Sequence, residues 1–290
     1  METSELLKKV RKIEIKTRGL SANMFAGEYH SAFKGRGMSF SEVRGYQYGD
    51  DVRNIDWNVT ARTGAPFVKI FEEERELTVM LLVDVSRSAF FGTSSQMKNE
   101  LMTEICAVLA FSAIGNNDKV GVILFSDVIE KFIPPKKGRT HTLRIIRELV
   151  NYEPTSNGTN IGHALEYLNN VIKKRSTTFL LSDYMTKGYD NALKIVNRRH
   201  DLIGLHVVDP AEEKLPAAGL IRAQDAETGE RYWLDTENKS TRKRYQEWYL
   251  DNMGYLKTSF LRTGADLLHI RTNEDYLPRL RDFFRKRASR

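Results

Sequence analysis

Apolar and polar residues follow two rhythms along this chain. Short apolar runs such as LTVMLLV (77–83) suit buried strands, because β-branched and large apolar side chains fit a pleated surface. Between them lie stretches with apolar positions three and four apart. In 96–114, Leu101, Ile105, Val108, Leu109 and Ser112 share one helical face. From residue 76 onward the pattern predicts a strand over 77–86, the 96–114 helix and a strand over 118–126. A short strand over 128–135, ended by Pro134 and Pro135, and helices over 140–152 and 160–175 come next. A strand over 177–183, a helix over 189–200 and a strand over 201–209 follow. Such alternation predicts an α/β fold: a mainly parallel sheet with helices on both faces, since parallel neighbours need a crossover and the helix supplies it.

Two regions break the rhythm. Residues 220–235 read as two short strands around the turn ETGE, and they are expected to pair with strands of the N-terminal segment, such as PFVKIFEEE (66–74), in a small β-rich subdomain. Residues 35–63 crowd glycines, acids, arginines and aromatics together with little helical periodicity. The expected organisation is an N-terminal segment over 1–75 and an α/β domain over 76–290 carrying the hairpin near 220–235. A helix over 239–264 bent at Gly254, a strand over 266–272 and a basic helix complete the chain.

The ends of the buried strands carry the chemistry. Ligands of parallel α/β sheets bind beyond the carboxyl ends of the strands. There the chain places Asp84 with Ser86 and Ser88, Asp183 after another central strand, and Thr159 just before a helix. All five are oxygen donors, and hard cations such as Mg²⁺ take six oxygens in near-octahedral geometry. Two acids and three hydroxyls leave such an ion short of negative charge, so it would attract an acid from a partner. The same residues also suit turn closure and helix capping, which Asp and Ser perform at strand-to-loop junctions. Strand-like alternation turns Arg87 away from Ser86 and Ser88.

The runs DVSRS (84–88), GTNIG (158–162) and LLSDY (180–184) resemble the von Willebrand factor A family and its metal-ion-dependent adhesion site. The resemblance implies a Rossmann-like fold and a divalent cation, Mg²⁺ or else Mn²⁺ or Ca²⁺, held by Asp84, Ser86, Ser88, Thr159 and Asp183, with a partner's carboxylate completing the coordination. A second signature resembles the bacterial domain of unknown function 58 family. It comprises Phe40, Glu42, Arg44, Tyr46, Gly49, Asp50, Asp51, Arg53, Ile55, Asp56, Trp57, Ala61, Arg62 and Thr63. That family joins such a segment to a von Willebrand A-like domain. Many relatives carry membrane helices ahead of the segment, and the resemblance here implies a soluble form. It also implies partners: MoxR-type AAA+ ATPases or other von Willebrand A proteins, in a chaperone-like or complex-assembly system.

Composition narrows the picture further. The 290 residues are 41% hydrophobic, enough for a normal core. No run approaches the roughly 18–20 apolar residues of a membrane span, and the charged N-terminus does not suit a secretory signal, so a cytoplasmic address is expected. The single cysteine, Cys106, reads as packing. The net charge of +7 gathers partly in RLRDFFRKRASR (279–290). This reads as a solvated helix end rather than a nucleic-acid or membrane contact, because no zinc-finger or RNA-binding signature accompanies it.

Glu42, Asp50, Asp51 and Asp56 alternate with Arg44, Arg53 and Arg62, which reads as a partly buried ion-pair brace around Trp57 and Tyr46, or as a docking surface. Asp50 and Asp51, being adjacent, are expected to point apart. No Walker loop, GxSxG elbow, HExxH or CxxC occurs, and the histidines share no spacing. His163 lies four residues after Thr159, either facing the site or solvated, and His206 reads as a core residue. The expected function is a non-catalytic, metal-dependent protein-binding module. The alternative is a metal-dependent hydrolase acting on phosphoesters or nucleotides.

Overall fold

The buried runs gather into one sheet because each is apolar on both faces. A computed structural model of the chain describes residues 10–11, 13–14, 38–73, 77–93, 96–225 and 229–289, with backbone alone at 38–41 and 70–73. Its strands are β1 (Met38–Gly45), β2 (Phe67–Glu73), β3 (Thr78–Asp84), β4 (Lys119–Phe125) and β5 (Ile129–Lys136), then β6 (Thr177–Ser182), β7 (Asp201–Val208), β8 (Leu220–Gln224), β9 (Arg231–Asp235) and β10 (Asp266–Arg271). Its helices are α1 (Trp57–Thr63), α2 (Lys98–Gly115), α3 (Arg139–Asn151) and α4 (Ile161–Val171), then α5 (Asp190–Arg199), α6 (Pro210–Glu213), α7 (Lys239–Thr263) and α8 (Tyr276–Ala288).

The central sheet runs in the order β10-β7-β6-β3-β4-β5, parallel throughout except for β5, which pairs antiparallel with β4. Alternation along β3 divides the core. Val79, Leu81 and Val83 pack toward α2, α3 and α8, whereas Met80 and Leu82 pack toward α4, α5 and α7. Cys106 is buried in the first of these layers, and burial pushes its thiol pKa up, as suits a packing residue.

Three expectations meet the structure with different outcomes. The strand expected over 128–135 is β5, which includes Pro134 and Pro135 and ends one residue later, at Lys136. A proline lacks the N–H of a ladder bond and costs least on an edge strand, which β5 is. The register slips opposite the prolines between Val120 and Val122. Gly121 lies at that slip, where a Cβ would stand 2.9 Å from the Pro135 nitrogen. The helix expected over 239–264 runs from Lys239 to Thr263. The hairpin β8–β9 and the pair β1–β2 form two separate two-stranded ribbons rather than one small sheet. The turn expected at ETGE lies partly outside the described residues.

The described residues divide into two compact units, one within Lys34–Glu76 and the other comprising Leu77–Arg290 with residues 10–14, so the hairpin and the β1–β2 ribbon belong to different units. Within the smaller unit, Arg44 donates to both carboxylate oxygens of Asp50 at 2.8 Å. Asp51 turns to the Arg53 amide at 3.0 Å, and Asp56 caps α1 through the Asn58 and Val59 amides. Asp50 and Asp51 thus point to different partners. These acids close turns and start a helix locally. They do not enclose Trp57, which is 70% exposed, because each is committed to backbone amides within three residues.

In the larger unit, the basic C-terminal helix is tied down rather than free. Arg287 bridges Asp201 and Asp266, and Arg285 pairs with Asp282 at 3.0 Å. Among the described residues, no helix is long and apolar enough to cross a membrane.

Gly204 in β7 supplies a close approach that no pattern of hydrophobicity predicts. A Cβ there would lie 2.5 Å from the Phe260 ring and 2.8 Å from the Tyr184 hydroxyl. Gly204→Ala is therefore expected to cost about 1–3 kcal/mol by overpacking. Urea unfolding would read this as a lower midpoint at unchanged slope.

Candidate metal-binding rim

The site is built where β3 and β6 end side by side. Asp84 closes β3 and is 2% exposed; its Oδ1 accepts from the Ser86 amide at 3.0 Å, a turn that Asp favours, and its Oδ2 accepts from the Ser182 hydroxyl at 2.6 Å. Asp183 follows β6 and is 4% exposed, with Oδ1 accepting from the Met185 amide at 3.3 Å. Tyr184, next in the chain, adopts φ 55°, a left-handed conformation unusual for an aromatic residue. Its hydroxyl donates to the Leu180 carbonyl at 2.8 Å in a fully buried setting, which fixes the sharp turn that holds Asp183 at the rim.

Ser86 and Ser88 hydrogen-bond each other, hydroxyl to hydroxyl, at 3.1 Å. Ser86 is buried, Ser88 half-buried and Arg87 exposed, but the strand ends at Asp84 and Arg87–Phe90 forms a 3₁₀ turn, so this turn and not strand-like alternation points Arg87 outward. The Thr159 loop joins through its backbone. The Arg87 amide donates to the Asn157 carbonyl at 3.2 Å, and the Asn160 amide donates to the Ser126 carbonyl at 2.9 Å. Asp84, Ser86 and Ser88 are thus linked through one amide and one hydroxyl pair, and Asp183 lies close enough to Asp84 to raise its pKa. Thr159 is half-buried beside them, and its hydroxyl bonds none of the four among the described residues.

Glu130 of β5 positions that loop. Its Oε1 accepts from the Ser126 hydroxyl at 2.8 Å and from the Thr155 and Ser156 amides at 3.0 and 3.1 Å. Its Oε2 accepts from the Tyr152 and Thr155 hydroxyls at 2.9 and 2.6 Å. Burial alone would raise the Glu130 pKa, but these donors hold it below the usual range.

The sequence reading missed Lys98. It opens α2, where a cation meets the positive end of the helix dipole, an anomaly that was the available signal. Its side chain is fully buried, and Nζ reaches Asp183 Oδ2 at 2.8 Å and Glu212 Oε1 at 2.5 Å. Burial works to lower the Lys98 pKa, yet the two carboxylates hold it above its usual value. Burial likewise works to raise Asp183, but Lys98 and Ser88 keep it below the carboxylate range.

Asp84 receives no such help. Burial first, and the charge of Asp183 second, push its pKa up to about 6. Ser182 and Glu212 also escaped the sequence reading, Ser182 although it stands in the quoted LLSDY. Asp209, at the end of β7, holds Thr93 of the loop after β3 through its amide at 2.9 Å.

The histidines stand apart from the hydroxyls. His163 is exposed, and its ring meets the Asp127 carbonyl at 3.3 Å. His206 is buried and shares a 2.9 Å Nδ1 contact with His269, its register partner on β10. Among the described residues, no three His, Cys, Asp or Glu side chains group as a metal site, so any ion here would depend on hydroxyl donors.

That donor set suits a small hard cation on two counts. At Mg–O distances of about 2.1 Å, adjacent octahedral ligands stand about 3.0 Å apart, so the Ser86–Ser88 hydrogen-bonded pair at 3.1 Å could turn both oxygens to an ion with little movement. Asp84 is a buried carboxylate with no cationic side chain paired to it among the described residues.

The sequence model of the family described as protein of unknown function DUF58 matches residues 42–253. An uncharacterized protein of Mycobacterium tuberculosis is 27% identical over 282 residues, 96% of this chain and 88% of that one. Among solved structures, an aerotolerance-related membrane protein from Bacteroides fragilis is similar at 16% identity and TM-score 0.48, over 73% of this chain and 98% of that one. The SpRpn10 VWA domain is similar at 9% identity and TM-score 0.41, over 70% and 92%. The fold is the α/β arrangement that the alternation of strands and helices predicted, a mainly parallel six-stranded sheet with helices on both faces.

Two outcomes are expected. Between pH 4 and 6 the native state holds a proton on Asp84 that the unfolded chain has released, so this group lowers metal-free stability as pH rises through that window and changes nothing above it. The stability difference between Asp84→Asn and the wild type should therefore move in the variant's favour from pH 4 to 6 and stay constant beyond; parallel denaturation curves would contradict this. Glu130→Ala should speed hydrogen exchange at the Thr155 and Ser156 amides by on the order of tenfold, the loss of about one net hydrogen bond each.

Proposed function

This chain belongs to the DUF58 family, and from that premise we propose that it is a non-catalytic protein-interaction module whose contact point is a divalent cation, Mg²⁺ first, held by Asp84, Ser86, Ser88, Thr159 and Asp183. The observation that carries the reading is the pair of hydroxyl oxygens 3.1 Å apart beside a buried carboxylate without a cationic partner among the described residues. Asp84 orients the Ser86 turn and supplies negative charge. Ser86 and Ser88 offer neutral oxygens, and Asp183 supplies the second acid. When bound, the ion would supply an open coordination position for a carboxylate from another protein.

The partner class we propose is a MoxR-type AAA+ ATPase, as the family resemblance implies, with this chain acting as its adaptor in a chaperone-like or complex-assembly system. The two-acid donor set supports the use of an external carboxylate, because its hydroxyls bring no charge of their own.

Pull-down of a MoxR-type ATPase from the same cell by purified chain tests the reading. Capture in about 5–10 mM Mg²⁺, well above the roughly 10⁻⁴–10⁻³ M of the weakest protein calcium sites, should fall at least tenfold with EDTA and with Ser86→Ala or Asp84→Ala. Capture that ignores both chelation and these variants would remove the ion from the function.

A further inference from the structure

Lys98 is a costly feature that the proposed contact point does not explain. A lysine in a first helical turn opposes the helix dipole, and complete burial removes its hydration. The chain accepts both, and spends two carboxylates, Asp183 and Glu212, on holding the ammonium. Glu212 is itself pinned by the α6 cap, where its Oε2 accepts from the Asp209 amide at 3.0 Å. The ammonium also stands 6.0 Å from the centre of the Phe91 ring. It is therefore fixed from three sides rather than resting on Asp183 by chance.

We propose that Lys98 is a resident counter-ion that competes with the divalent cation for Asp183 and so weakens the metal affinity of the rim. This rests on the metal reading above and specifies how tightly the site binds. Asp183 already gives Oδ2 to the ammonium and Oδ1 to the Met185 amide, so little of its negative charge is free for an ion seated on Ser86 and Ser88. A fixed positive charge one carboxylate away also repels a second cation directly. The consequence is a rim that holds a divalent ion weakly alone and more firmly once a partner's carboxylate arrives, which makes Lys98 a positioning residue for partner-dependent metal binding.

The test is calorimetric titration of full-length protein with Mn²⁺ alone, beside the melting-temperature gain in Mg²⁺. The double variant Lys98→Met/Glu212→Gln removes one cation and one anion together and leaves Asp183 free. It should bind Mn²⁺ about tenfold or more tightly than wild type and gain more in melting temperature from Mg²⁺. Glu212→Gln alone leaves the whole ammonium to Asp183 and should bind severalfold more weakly; it serves if the double variant does not fold. A purely structural Lys98 would shift melting in EDTA and leave the Mn²⁺ affinity unmoved. Wild type and variants binding Mn²⁺ equally would overturn the role of Lys98 while leaving the metal reading intact. Binding by the double variant only would support the competition and remove metal dependence from the wild type. Binding by none of them would overturn both.

Discussion

Two carboxylates buried at the ends of neighbouring strands repel each other, and the rest of the rim is arranged around that fact. Parallel pairing of β3 with β6 brings the ends of the strands together, and the side-chain period of two turns Asp84 toward the α4 side of the sheet with Met80 and Leu82. Burial then sharpens the repulsion, because low dielectric strengthens like-charge interaction as much as attraction. The chain resolves half of it. Asp183 has an ammonium and an amide, whereas Asp84 has a hydroxyl and an amide but no positive charge.

The loops around the two acids keep their backbones in place by means unrelated to a cation. Glu130 gathers five donors and sets the 152–156 turn, Asp209 holds Thr93, and the left-handed Tyr184 is seated against Gly204. A site framed in this way is preformed, so little ordering cost remains when a ligand arrives. Thr159 is the looser member, held by its neighbours' amides rather than by its own hydroxyl.

Much of this was legible in the sequence because hydrophobic period and strand-end chemistry are local. The strand expected over 77–86, observed as Thr78–Asp84, and the acids at the ends of β3 and β6 follow from residues within a few positions of one another. Lys98 was not legible in that way. Its partners lie 85 and 114 residues away, and a lysine at the start of an amphipathic stretch looks like a solvated charge until the fold buries it. Gly204 and Glu130 escaped for the same reason, since a close approach and a five-donor carboxylate exist only after distant segments meet. Pro134 and Pro135 marked the end of β5 to within one residue, but that their strand is lateral and not central is not stated by the sequence alone.

Those prolines have a bearing beyond the strand they occupy. The outer margin of a sheet offers unused amides and carbonyls to any extended chain that drifts past, and open margins of this kind seed fibrils and swapped dimers. Along β5 the two missing N–H groups and the slipped register leave a broken template. A crowded cell full of this protein is thereby spared zippering from that side.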